Sequence, residues 1–185
     1  MTKHFLIIFL MIPLTTAIFC KENLNNKLTI ANLKAALMCE IRDYKKYSDY
    51  AKKAKEEGYT DLGNLFHSLS GFEKQHARIY MEILENYGIK IDTFEIMDID
   101  KYSVGSSVEN LRHSINNEKR DVNDMFDKFA KTAREEKMYD AADTISQITL
   151  MENKNIQMLQ DFSISFKPVG RNKKASIGTT KRINF

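Results

Sequence analysis

Glu40, Glu73, Glu118 and Glu152 each stand inside a run whose apolar residues recur at spacings of three and four. His76 follows Glu73 by three positions, so on a helix both side chains lie on one face, about 5 to 6 Å apart at Cβ, and can reach one ion. Ionised carboxylates without partners are prohibitively costly in an apolar core, so four of them meeting at mid-height require positive charge. Two divalent cations would balance four carboxylates, with the neutral imidazole of His76 as a further ligand. Mixed carboxylate and imidazole ligation suits iron, with manganese or zinc as alternatives. Taken singly, such a glutamate is more often salt-bridged, and a lone histidine is more often a satisfied core residue. The argument for metal is the coincidence of four in matching places. Only Cys20 and Cys39 occur, which excludes a disulfide framework and a four-cysteine metal knuckle; Cys39, beside Glu40, reads as a packing residue. His4, His67 and His113 lie off the pattern.

The elements that must position these residues are four helices. The first stripe is Leu33, Leu37, Glu40, Tyr44, Tyr47, Ala51 and Ala54, ending at Gly58. The second is Leu62, Phe66, Leu69, Glu73, His76, Tyr80, Ile83 and Tyr87, ending at Gly88. A capping box, Ser106 to Glu109, opens the third, which continues through Val108, Leu111, Ile115, Glu118, Val122, Met125, Phe129 and Thr132. The fourth is Ala141, Ile145, Ile148, Glu152, Asn155, Leu159 and Phe162. Short loops join the first pair and the second pair, whereas residues 88–105 form a long connection. The expectation is an all-α bundle of two helical hairpins joined by a long crossover.

The two hairpins also resemble each other. Tyr50-Ala51-Lys52-Lys53-Ala54-Lys55-Glu56-Glu57 matches Phe129-Ala130-Lys131-Thr132-Ala133-Arg134-Glu135-Glu136 at an offset of 79, which also carries Glu73 onto Glu152 and His76 onto Asn155. Glu40 maps onto Glu118 only at an offset of 78, so the third helix holds one extra residue, and a π-bulge near the site would absorb it.

Composition sets the surroundings. Seven Gly and two Pro in 185 residues are too few for an all-β chain. The net charge of +3 hides an asymmetry: Lys167, Arg171, Lys173, Lys174, Lys181 and Arg182 fall after residue 162, where no acid occurs. Without these and Lys3 the body is acidic, which argues against a nucleic-acid partner. Residues 1–20 read as an export signal, with Lys3 before the apolar run Phe5 to Leu14 and the small residues Thr15 to Ala17 after it. Export to the periplasm or medium is expected, and a membrane anchor through the leader or a lipidated Cys20 is the alternative. The bundle is expected over 28–162, and 163–185 as a basic, disordered tail.

From Ala31 to Leu159 the chain resembles the ferritin-like di-iron domain of rubrerythrins. The residues that carry the resemblance are Ala54-Lys55-Glu56-Glu57-Gly58-Tyr59, Phe72-Glu73-Lys74-Gln75-His76-Ala77, and the gaps of 33 residues from Glu40 to Glu73 and 34 from Glu118 to Glu152. The ligand pattern of such bundles is one Glu from each of two helices and Glu-x-x-His from each of the other two. The resemblance implies that Glu40, Glu73, His76, Glu118 and Glu152 hold two irons per bundle, with Glu73 and Glu152 as bridges and Tyr47 beside the site. Three departures follow. Asn155 replaces the second imidazole, and Asp121 stands where the family has a further glutamate, so both are weaker ligands and one metal position is weakened. The rubredoxin module with its two Cys-x-x-Cys pairs is not in this sequence, which calls for an external electron donor. The implied function is reduction of hydrogen peroxide, as a homodimer. The alternative is an exported iron-binding or ferroxidase-like protein that meets dioxygen and turns over little peroxide.

Overall fold

The computed structural model describes residues 27–91 and 102–168. The leader at 1–20 with Cys20, the middle of the crossover, and the basic tail from 169 onward lie outside the described residues. In chain order the elements are α1 (Leu28–Glu56), α2 (Thr60–Asn86), α3 (Ser107–Asp121), a π-helical turn (Val122–Phe126), α4 (Asp127–Glu135) and α5 (Tyr139–Ser165). No strand occurs among the described residues. Because α3, the π-turn and α4 continue without leaving helical backbone angles, the described residues form four rods. α1 packs along α2, α3 and α4 pack along α5, and the two hairpins meet where α5 touches α2 and where α1 touches α3 and α4.

The π-turn sits between Glu118 and the repeat that begins at Phe129, where the change of offset placed one extra residue. The capping box is also present: the Ser106 hydroxyl accepts from the Glu109 N–H, and Glu109 Oε2 accepts from the Ser106 N–H at 2.9 Å. Two helix starts, that of α3 and that of α1, are also held across the hairpins. Glu57 Oε2 accepts from the Ser107 N–H at 2.9 Å, and Glu136 accepts from Leu28 and Thr29 N–H at 3.1 and 2.9 Å. Since Glu57 and Glu136 are repeat partners, each hairpin loop satisfies orphan donors at the start of the other hairpin.

The loops themselves obey the same repeat with one strained exception. After α1, Gly58 adopts φ 84°, and the N–H groups of Gly58 and Tyr59 close on Lys55 and Ala54 carbonyls. The equivalent residue after α4 is Lys137, at φ 60°, with the same two closing bonds from Lys137 and Met138. A left-handed conformation costs a residue with a Cβ about 1–2 kcal/mol, offset in part by the larger unfolded-state freedom of glycine. Lys137→Gly should therefore raise stability by roughly 0.5–1 kcal/mol in urea denaturation, and an unchanged midpoint would count against strain at this loop.

The core is divided. Leu33, Leu37, Tyr80, Leu84, Ile145 and Ile148 belong to one fully buried cluster, and Tyr47, Phe66, Leu69, Leu111 and Leu159 to another. Along each rod the seam glutamate lies between a member of one cluster and a member of the other. Burial of each such side chain contributes about 1.5–3 kcal/mol, so two apolar plugs fix the height at which the glutamates meet.

Three expectations need correction. Val108 is 42 % exposed, because the face α3 turns inward at its start is Ser107, Asn110, Leu111 and Ser114. Tyr44 is half-buried, and its neighbours Asp43 and Lys46 are the buried ones. The bundle also continues past 162: α5 runs to Ser165 because Phe162 packs on Phe166 at 5.6 Å and Phe166 packs edge-on to Tyr59 at 5.1 Å. Among the described residues no helix is long and apolar enough to cross a membrane.

Candidate metal centre

Glu40 from α1, Glu73 and His76 from α2, and Glu152 from α5 each direct one donor atom into a space in which all four atoms lie within 4.8 Å of one another. All four residues are at most 3 % exposed. His76 Nδ1 is 2.6 Å from Glu152 Oε1, 3.1 Å from Glu73 Oε2 and 3.5 Å from Glu40 Oε2. Glu40 Oε1 is buried without a hydrogen-bond partner, an orphaned acceptor in the core.

Burial dominates the electrostatics. It pushes the Glu40 carboxyl up to about 7, against the hydrogen bond from His76. It also drives Glu73 well above the usual carboxylate range, reinforced by the charge of Glu152. For His76 burial works downward, yet hydrogen bonds to Glu152, Glu40 and Glu73 hold the imidazole protonated up to about 12. The cluster thus gathers protons where a cation could replace them. Three carboxylates and one imidazole in a water-poor space fit a divalent ion of the iron type.

Glu118, at 4 % exposure, is buried in the same core, but its Oε1 faces other partners. The Tyr47 hydroxyl donates to Glu118 Oε1, and Lys46 Nζ lies 3.8 Å from the same atom. Burial pushes Glu118 up to about 8, with Lys46 opposing. Asp121 is turned to Arg120 at 3.2 Å and Arg42 at 3.6 Å. Asn155 directs its amide nitrogen to Glu152 Oε2 at 3.2 Å and Glu73 Oε1 at 3.5 Å. Of the seven residues expected to ligate, the structure therefore gathers Glu40, Glu73, His76 and Glu152 around one point, and gives Glu118, Asp121 and Asn155 partners from the protein itself. Cys39 is partly buried and free, and its thiol is pushed up to about 11 by burial, which makes it a poor nucleophile.

Sequence periodicity passed over Asp43 and Lys46, which pair at 2.8 Å with Lys46 only 3 % exposed. Their signal was an oppositely charged i, i+3 pair, a pattern common on solvent-facing helix surfaces.

Fold and site together define a ferritin-like four-helix bundle with a buried carboxylate–imidazole cluster at its centre. Residues 31–162 match the family model for rubrerythrin, and the chain belongs to the rubrerythrin family. It is 31 % identical over 138 residues to a putative rubrerythrin of Methanocaldococcus jannaschii, covering 70 % of this chain and 66 % of that one. It is 29 % identical over 131 residues to a rubrerythrin of Porphyromonas gingivalis, covering 71 % of this chain and 64 % of that one. The chain thus spans just under two thirds of the length of these two relatives. Among solved structures, nigerythrin in its mixed-valence state superposes with a TM-score of 0.67 at 25 % identity, covering 74 % of this chain and 66 % of that one. Dithionite-reduced symerythrin from Cyanophora paradoxa gives 0.62 at 19 % identity, covering 74 % and 84 %, and shows the shared fold.

Proposed function

We propose that this chain is a rubrerythrin-like non-haem iron protein that reduces hydrogen peroxide to water with electrons from an external carrier. The observation that carries this function is the convergence of Glu40, Glu73, His76 and Glu152, all buried, with donor atoms within 4.8 Å of one another. Peroxide takes up two electrons and two protons, its O–O bond breaks, and two water molecules leave. Iron held there would supply one electron as it passes from ferrous to ferric, and the external carrier would supply the second and return the ion to the ferrous state. Glu40, Glu73, Glu152 and His76 bind and orient the ion. The apolar clusters above and below exclude bulk water, and Tyr47 fixes Glu118 beside the centre.

A second function, an iron-binding or ferroxidase-like protein with little peroxidase turnover, is favoured by Asn155 standing where the family has its second imidazole. Anaerobic mixing of the ferrous full chain with peroxide separates the two. The peroxidase function expects ferrous iron to be oxidised at least about a hundredfold faster than in Glu73→Ala with equal added iron, a change of about 2.7 kcal/mol in barrier. Oxidation no faster than that of the variant, in protein that has taken up iron, would remove the peroxidase function and leave iron binding.

A further inference from the structure

Each of the three residues that would complete a second metal position meets basic or donor groups of the chain through at least one atom. Glu118 meets the Lys46 ammonium at 3.8 Å and the Tyr47 hydroxyl. Asp121 lies between Arg120 and Arg42, at 3.2 and 3.6 Å, and Asn155 presents an amide N–H donor toward Glu73 and Glu152. Lys46 is also anchored from behind by Asp43 at 2.8 Å, and its side chain is 4 % exposed, so it cannot leave this space without stranding a buried carboxylate. Arg42 is braced in the same way, with Nε on Asp43 at 3.0 Å.

We infer that the bundle holds one metal ion per chain, at Glu40, Glu73, His76 and Glu152, and that Lys46, with Arg42 and Arg120, supplies the positive charge that a second ion would otherwise bring. On that side Asp43 and Asp121 already face the cations Arg42, Lys46 and Arg120, and Glu118 shares its Oε1 with Lys46 and Tyr47. A dication placed beside Glu118 would face the ammonium in a low-dielectric space, where like charges repel strongly. It would also lack an imidazole, and it would find only the short Asp121, whose Oδ1 is taken by Arg120 and whose Oδ2, without a hydrogen bond of its own, faces the Arg42 guanidinium at 3.6 Å. This inference rests on the four-residue cluster being a metal site.

The test is the metal content of the full chain. Protein stripped with chelator is reloaded anaerobically with ferrous iron, and separately with redox-inactive zinc, desalted, and assayed by mass spectrometry for metal per chain. One ion per chain is expected, with Asn155→His still near one and Asn155→His/Lys46→Met approaching two. Should Lys46→Met fail to fold, Asp43→Asn/Lys46→Met in the Asn155→His background removes the ion pair whole and carries the same expectation. Two ions of comparable affinity in wild type would overturn the inference while leaving the metal site standing. A second ion gained by Asn155→His alone would also overturn it, by placing the loss on the imidazole. No ion in folded wild type would remove the metal site on which the inference rests.

Discussion

Chelation should lower the melting temperature of the full chain by roughly 10 °C, the shift expected when a ligand at about a hundred times its Kd, contributing about 2.7 kcal/mol, is withdrawn from the native state. It should also give stability a new pH dependence. In metal-free protein, burial holds the Glu40 carboxyl up near 7 and Glu118 up near 8, above the ordinary value of 4.5 that applies once the chain unfolds. Between those values the folded state binds more protons than the unfolded state. The contribution is therefore present below about 4.5 and is lost as pH rises through 7 to 8. His76 is held protonated up to about 12 against an ordinary 6.5, so its contribution is full below 6.5 and declines above it, which adds to the same downward trend. Metal-loaded protein should show the opposite slope, because the ion must displace those protons and binds better as pH rises. Glu73→Ala should abolish most of the metal dependence. Melting curves at pH 5 and pH 8, with and without chelator, test all of this. Identical curves for loaded and stripped wild type would show that the cluster is not a cation site.

How much of this could be read from the chain depends on whether a residue breaks a pattern or blends into one. Glu40, Glu73, Glu118 and Glu152 were legible because a charge inside an apolar stripe is anomalous, and the π-turn was legible because one residue too many separates Glu118 from the repeat at Phe129. Asp43 and Lys46 were not, since alternating charges at helical spacing look the same on a solvent face as in a core. Their burial follows from tertiary packing: α1 leaves room beside Glu118 that a long side chain fills, and only the assembled bundle shows it. The cross-hairpin caps were hidden for a related reason. Glu57 and Glu136 are near in sequence to helix ends, but the helix starts they satisfy are 50 residues and more than 100 residues away. Val108 misled in the other direction, an apolar residue on period that faces water because small polar residues form the inner face at that height.

Lys46→Met should cost the metal-free protein about 3–5 kcal/mol, the usual effect of removing one partner from a buried ion pair. Methionine preserves the length and most of the apolar contact of the lysine stem, so lost packing contributes little and the charge decides the outcome. The ammonium touches Asp43 at 2.8 Å and Glu118 at 3.8 Å, and without it two carboxylates remain in a space that water hardly enters. Asp43→Asn/Lys46→Met should recover a substantial part of the loss. It leaves Glu118 with Tyr47 as a donor and a raised affinity for its own proton, so the two substitutions should be strongly non-additive. Arg120→Met makes the contrast. Its side chain is 60 % exposed at its contact with Asp121, so solvent screens the pair and the loss should stay below about 1 kcal/mol. Urea denaturation of the full-length variants at pH 7 in the presence of chelator measures all three. If Lys46→Met cost no more than Arg120→Met, the Asp43–Lys46–Glu118 contact would be a solvated one, and the positive charge beside Glu118 would no longer stand in the way of a second ion.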